Sequence, residues 1–119
     1  MIIESSQLLE VVVKAADDKR GEDIVALDVQ GISLLADYFV ICHGNSEKQV
    51  GAIVDEIANA ARQAGIEVGR IEGKESGKWV LVDLGDIVVH VFHSSEREFY
   101  NLEKLWSDAP MVNLTSLVD

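Results

Sequence analysis

Residues 78–100, KWVLVDLGDIVVHVFHSSEREFY, constrain the fold of this chain most, because they alternate with period two on both sides of one Gly-Asp pair. Trp79, Leu81 and Asp83 interleave with Val80, Val82 and Leu84; beyond Gly85-Asp86, Ile87, Val89 and Val91 interleave with Val88, His90 and Phe92. Such alternation marks two strands. A two-residue loop with Gly at its first central position suits a type II′ hairpin and sets Leu84 opposite Ile87. Counting outward then pairs Val82 with Val89 and Val80 with Val91 on one side. On the other side Asp83 meets Val88, Leu81 meets His90 and Trp79 meets Phe92. The first face is purely aliphatic and must be core. The second mixes two aromatic rings, two aliphatics, a carboxylate and an imidazole, which suits neither water alone nor full burial.

The rest of the chain supplies partners for that hairpin. Ser5 or Ser6 is expected to cap a first helix whose Leu9, Val12, Val13 and Ala16 fall at helical spacing, ending near Lys19, Arg20 and Gly21. Strands are expected over 24–29 and 37–43, the second enriched in Tyr, Phe, Val and Ile. Asn45 or Ser46 opens the longest helix, with Ser46 and Gln49 spaced as a capping box. Its apolar stripe is Val50, Ile53, Val54, Ile57, Ala58 and Ala61, and Gly65 ends it. A third strand is expected over 66–71, then the polar turn EGKESG, the hairpin, and a short helix capped by Ser95 with Glu98, on which Phe99, Leu102 and Trp106 share a face. The order α, β, β, α, β, β, β, α describes an α/β domain with a mixed five-stranded sheet and helices mainly on one face. The domain is expected to span 1–108. Residues 109–119 are expected to form a C-terminal tail, weakly ordered or docked.

A chain of 119 residues accommodates one domain. One cysteine, Cys42, excludes an internal disulfide and suits a reducing cytoplasm. The N-terminus lacks the features of a signal peptide, and no apolar run reaches the length of a membrane span. The net charge of -11 argues against bare DNA or RNA and against an anionic membrane as partners. It favours a basic protein partner.

No catalytic constellation survives inspection. The GKESGK run at 73–78 has one residue too few between its glycines for a phosphate-binding loop, and a strand follows it rather than a helix. His90 and His93 point to opposite faces of a strand, so a shared metal is not expected. Asp83 has no second acid beside it on its face of the hairpin, and Asp86 is accounted for by the turn. Cys42 and His43 are consecutive strand residues, which cannot act as a nucleophile and its base. No metal or cofactor is expected. What remains is the mixed hairpin face, since an aromatic and aliphatic patch edged by polar groups marks a protein contact. The competing reading places Trp79 and Phe92 beneath the C-terminal helix or tail.

Five blocks of this sequence carry a family resemblance: LDV at 27–29, ADYFVI at 36–41, EG at 72–73 with GKWVLVD at 77–83, GDIVVHVF at 85–92, and REFYNLEKLW at 97–106. In this order they resemble the ribosomal silencing factor family, RsfS, also called the Iojap or YbeB family, over about residues 5 to 108. The resemblance implies a nucleotidyltransferase-like fold without enzymatic activity; the Gly-Ser motif and acidic pair of that superfamily are missing here. It further implies binding to the large ribosomal subunit through its basic ribosomal protein fourteen. There the protein would block joining of the small subunit and repress translation when nutrients are scarce. A homodimer is also implied as possible. The alternatives are a metal-dependent nucleotidyltransferase-type enzyme, or a homodimeric structural module. The family's marked positions fall on Asp37, Trp79, Leu81, Asp83, His90, Arg97, Tyr100 and Glu103. Within the expected partner-binding set, Trp79, Leu81 and Phe92 are apolar anchors and Asp83 meets a Lys or Arg. Tyr100 and Glu103 contribute from the adjoining helix, with His90 and Arg97 completing the set.

Overall fold

The computed structural model describes residues 4–33, 36–101, 104 and 108–114, the side chains at 98–100 aside. The elements follow in the expected order: α1 (Ser5–Asp18), β1 (Glu22–Asp28), β2 (Tyr38–Gly44), α2 (Glu47–Gln63), β3 (Arg70–Glu72), β4 (Trp79–Asp83), β5 (Ile87–His93) and α3 (Ser94–Tyr100). The strands form one mixed sheet in the order β1-β2-β5-β4-β3. β2 and β5 are parallel, and the remaining pairs are antiparallel.

The hairpin register is the expected one, with Trp79 opposite Phe92, Leu81 opposite His90 and Asp83 opposite Val88. Leu84 N–H donates to the Ile87 carbonyl at 2.9 Å. Gly85 lies at φ +89° while Asp86 is not among the residues of positive φ, which is the backbone of a II′ rather than a I′ turn. The side chain that supports the turn is Asp83, whose Oδ1 accepts from Gly85 N–H at 2.9 Å. Asp86, expected to serve the turn, instead offers its carbonyl to the N–H groups of Asp37 and Tyr38, at 2.7 and 3.2 Å.

Both long helices lie against the aliphatic face. The buried residues of α2 are Val50, Ile53, Val54, Ile57, Ala58 and Ala61, the stripe expected from periodicity. They meet Leu8, Leu9, Val12, Val13 and Ala16 of α1, with Val40, Cys42, Val80, Val82, Val89 and Val91 of the sheet. Each Val, Leu or Ile side chain among them contributes about 1.5–3 kcal/mol through burial, and together they dominate the stability of the fold.

Helix ends depart from expectation where another residue satisfies the backbone better. Glu4 is the N-cap of α1, one residue before the expected serines, and Gln7 Oε1 accepts its N–H at 3.2 Å. At the other end Arg20, at φ +61°, takes the left-handed position expected of Gly21. Arg20 N–H donates to the Asp17 carbonyl and Gly21 N–H to that of Ala16, a Schellman closure. Gly21 is needed for a different reason: a Cβ there would lie 3.0 Å from the Ala16 carbonyl oxygen. Ser46 caps α2 as expected, accepting from Gln49 N–H at 3.0 Å. Gln49 reaches one residue further back, to Asn45 N–H, and donates to the Arg20 carbonyl at 2.9 Å, joining the start of α2 to the end of α1. His93, not Ser95, caps α3, its Nδ1 accepting from Ser95 N–H at 3.2 Å.

The strand expected over 66–71 shrinks to Arg70–Glu72 because the preceding residues have other partners. Ile66 N–H closes the end of α2 on the Ala61 carbonyl, and Ile66 and Val68 pack on the helix-side core. The tail is docked over 108–114. Asp28 N–H donates to the Pro110 carbonyl and Val112 N–H to that of Ala26, covering the outer edge of β1, while Ala109 and Leu114 are buried. The expected shared face of Phe99, Leu102 and Trp106 lies outside the described residues.

Two glycines separate backbone strain from steric exclusion. A Cβ on Gly85, at φ +89°, would meet nothing within 4 Å, whereas a Cβ on Gly73, at φ +84°, would fall 2.1 Å from the Trp79 carbonyl oxygen. Gly85→Ala is therefore expected to cost about 1 kcal/mol and Gly73→Ala more than about 3 kcal/mol, measured by urea unfolding. Equal losses would show that Gly73 does not need its close approach to β4.

Candidate docking face

The face opposite α1 and α2 is built in three rows across the sheet. Strand pairing aligns Glu22, His43, Phe92 and Trp79 in the first row, and Val25, Ile41, His90, Leu81 and Glu72 in the second. The third row is Leu27, Phe39, Val88, Asp83 and Arg70. On the β1–β2 side a second apolar cluster forms, in which Leu27, Val29, Phe39 and Ile41 pack with Ala36 and the tail's Ala109. Over β4 and β3 the face opens into a groove of about 500 Å³ lined by Ser33, Phe39, Arg70, Leu81, Asp83, Gly85, Val88 and His90. A smaller hollow continues it between Leu81, Trp79, Glu72 and Gly73.

Strand position decides how far each expected contact residue reaches the surface. Trp79, Leu81 and Asp83 on β4 are half-buried. Phe92, expected as an exposed anchor, is fully buried, and His90 is only 7% exposed. Both sit on β5, an interior strand flanked by β2 and β4. They therefore shape the face from beneath. Phe92 stacks with Trp79, ring centroids 5.3 Å apart at 24°, and Phe39 meets the His90 ring edge-on at 5.5 Å.

Trp79 Nε1–H donates to His90 Nδ1 at 3.1 Å. Indole nitrogen only donates, so Nδ1 is unprotonated and the imidazole proton resides on Nε2. Burial pushes the His90 pKa down from its ordinary 6.5 to about 4. Protonating Nδ1 would also set two donors against one another.

Asp83 already accepts from the Gly85 N–H, and its Oδ2 is 3.9 Å from Arg70 Nε. Arg70 also lies 3.7 Å from Glu72. The groove rim thus carries two carboxylates around one guanidinium.

Arg97 turns inward rather than toward the groove. Its Nη1 donates to His43 Nδ1 at 2.9 Å and to the Glu22 carbonyl at 3.3 Å. His43 Nε2 in turn donates to Glu22 Oε2 at 3.1 Å, and Asn45 Nδ2 to Oε1 at 3.0 Å. This set anchors α3 to the ends of β1 and β2. Its members other than Arg97 were not singled out for this role from the sequence, because Glu22 and His43 become neighbours only through strand pairing. Phe39 and Arg70 were missed in the groove for the same reason. Asp37 engages through its backbone, donating to Asp86 and accepting from Val29. The Tyr100 side chain and all of Glu103 lie outside the described residues.

Cys42 lies in the helix-side core while His43 faces the other way, as alternation requires. Burial pushes the thiol up to about 12, against a smaller opposing pull from Arg97, so it has no thiolate character at neutral pH. Among the described residues no three His, Cys, Asp or Glu side chains are grouped to hold a metal ion.

The depressed His90 pKa sets a direction for acid stability. Between pH 6.5 and 4 the unfolded chain protonates this imidazole while the folded chain does not, so stability falls as pH falls and levels off below about 4. The loss is on the order of 3 kcal/mol. His90→Asn, which retains an acceptor near the Nδ1 position but does not titrate, is expected to flatten that part of the pH profile in denaturant titrations. An unchanged slope would assign the acid sensitivity to other groups.

Comparison with known proteins places this architecture in a family. A family model described as "Ribosomal silencing factor during starvation" matches residues 2–119, and so includes the tail that the residue-level resemblance stopped short of. The chain is 62% identical over 107 residues to the ribosomal silencing factor RsfS of Bacillus subtilis, covering 90% of this chain and 91% of that protein. A crystal structure of a Bacillus halodurans protein superposes with a TM-score of 0.83 at 57% identity, covering 92% of this chain and 100% of the other. A mouse protein named mitochondrial assembly of ribosomal large subunit protein 1 is 30% identical over 102 residues, 83% of this chain and 45% of its own length. The chain belongs to the RsfS family of ribosomal silencing factors.

Proposed function

We propose that this chain represses translation by docking on the large ribosomal subunit, at its basic ribosomal protein fourteen, and sterically blocking the small subunit from joining. The observation that carries this reading is the half-open β4 side of the sheet. It offers Trp79 and Leu81 beside an acidic rim of Asp83 and Glu72, on a chain of net charge -11. Such a chain repels ribosomal RNA and is drawn to a basic protein. The family's description as a silencing factor supports the ribosome as target, and the mouse relative's name supports the large subunit. On this reading the chain acts in the cytoplasm. No helix among the described residues is long and apolar enough to cross a membrane.

Blocking requires occupancy and no chemistry, so its strength follows from affinity in competition with the small subunit. Trp79 and Leu81 supply the apolar contact and Asp83 meets a basic group. His90 and Phe92 hold the ring of Trp79. Arg97 holds α3, and Tyr100 and Glu103 add contacts from there onward.

Purified chain is expected to co-sediment with free large subunits and to lower the yield of joined ribosomes. Normal joining at saturating chain would sink the proposal. Leu81→Lys places a cation where a basic partner docks; binding is expected to weaken roughly tenfold or more with little change in melting temperature. A variant that binds as well as the parent would move the contact elsewhere.

A further inference from the structure

The groove floor holds one polar group whose direction is fixed by the protein itself. Because His90 Nδ1 is occupied by the Trp79 indole, the imidazole proton is confined to Nε2. Nε2 has no hydrogen-bonding partner among the described residues, and no buried side-chain nitrogen or oxygen among them is left unsatisfied, so this N–H reaches the groove that His90 lines. Around it the floor is apolar, with Phe39, Leu81 and Val88. The other charged groups facing the groove are Arg70 and Asp83, already drawn together, with Glu72 beside Arg70.

We infer that His90 is a direct partner-binding residue of the docking face: held by Trp79, it presents a fixed Nε2–H donor to a main-chain carbonyl of the docked ribosomal protein. This rests on the docking reading above. A neutral acceptor fits better than a carboxylate. The rim carries two carboxylates against one guanidinium, and the chain as a whole is strongly acidic. An acidic group entering the groove would meet repulsion, whereas every peptide segment brings a carbonyl at no charge. The hydrogen bond would be shielded by the surrounding apolar side chains, where leaving an acceptor unpaired is costly. The same imidazole therefore has two tasks, one per nitrogen: Nδ1 orients the Trp79 ring, and Nε2 binds the partner's main chain.

The two tasks separate experimentally. His90→Asn keeps an acceptor for the indole but carries nothing at the Nε2 position, while His90→Gln returns an amide N–H toward the groove. With salt-washed free large subunits as the probe, His90→Asn is expected to bind roughly tenfold more weakly at unchanged Trp fluorescence. His90→Gln is expected to recover most of that loss. Equal binding by His90→Asn and the parent would overturn the inference, as would equal weakening of both variants. The parent chain gives an independent check that needs no substitution: ring 15N shifts must show Nε2 protonated and Nδ1 bare, and the opposite tautomer overturns the inference. If the parent itself fails to bind large subunits, the docking proposal fails, which is a different outcome from loss of discrimination between the variants.

Discussion

The parallel pairing of β2 with β5 is the constraint on which the rest of the molecule depends. It joins strands separated in sequence by α2, β3 and β4, so the chain must cross over before the sheet can close. The crossover carries α2 onto one face, where its stripe and that of α1 seal the aliphatic side of both strands. It also makes β5 an interior strand. Of the residues β5 projects to the opposite face, His90 and Phe92 are buried and Val88 is half-buried, whereas β4, flanked on its far side only by the three-residue β3, stays half open throughout. The docking groove is the geometric result of that imbalance.

Local chemistry was legible in the sequence and pairing across the chain was not. The hairpin register, the α2 stripe, the Ser46 cap and the Gly65 stop each depend on residues within a few positions of one another, and each is found where the pattern places it. Phe92 shows the other case. Alternation correctly assigns it to the mixed face, but how much of that face reaches solvent depends on what the fold packs over it, and no local pattern encodes that. The tether of Arg97 to His43 and Glu22 spans residues 75 positions apart and arises from the β1–β2 register. The caps of α1 and α3 were displaced for a simpler reason. Glu4 and His93 lie just outside the serines, and each helix starts one or two residues earlier, with Gln7 accepting the Glu4 N–H and His93 Nδ1 accepting the Ser95 N–H.

The electrostatics of the groove are not those of isolated ion pairs. Arg70 with Asp83 and Glu72 at 3.7–3.9 Å is a loose, solvent-exposed set that contributes little to stability. Its consequence is for recognition. One guanidinium between two carboxylates leaves the rim acidic while keeping Asp83 in place, and Asp83 is simultaneously fixed by the turn amide of Gly85. A basic partner thus meets a carboxylate whose position was settled by hairpin formation, which lowers the ordering cost of the encounter.

Stability alone is a poor reason for His90. An aliphatic residue at this interior position would pack between Ile41 and Leu81 with no titrating group to desolvate, and this acid sensitivity of folding would vanish. That substitution would leave the Trp79 N–H without its acceptor, and a Phe at position 79 would remove the donor in turn. A Phe–Leu pair could therefore fill the same space with no polar group at all. What such a pair could not do is fix the ring of residue 79 in one orientation, or place a donor of known direction at the bottom of an apolar groove. The polar pair makes sense as a device for specifying geometry at a face that must match a partner, and the loss in acid stability is the cost of that match.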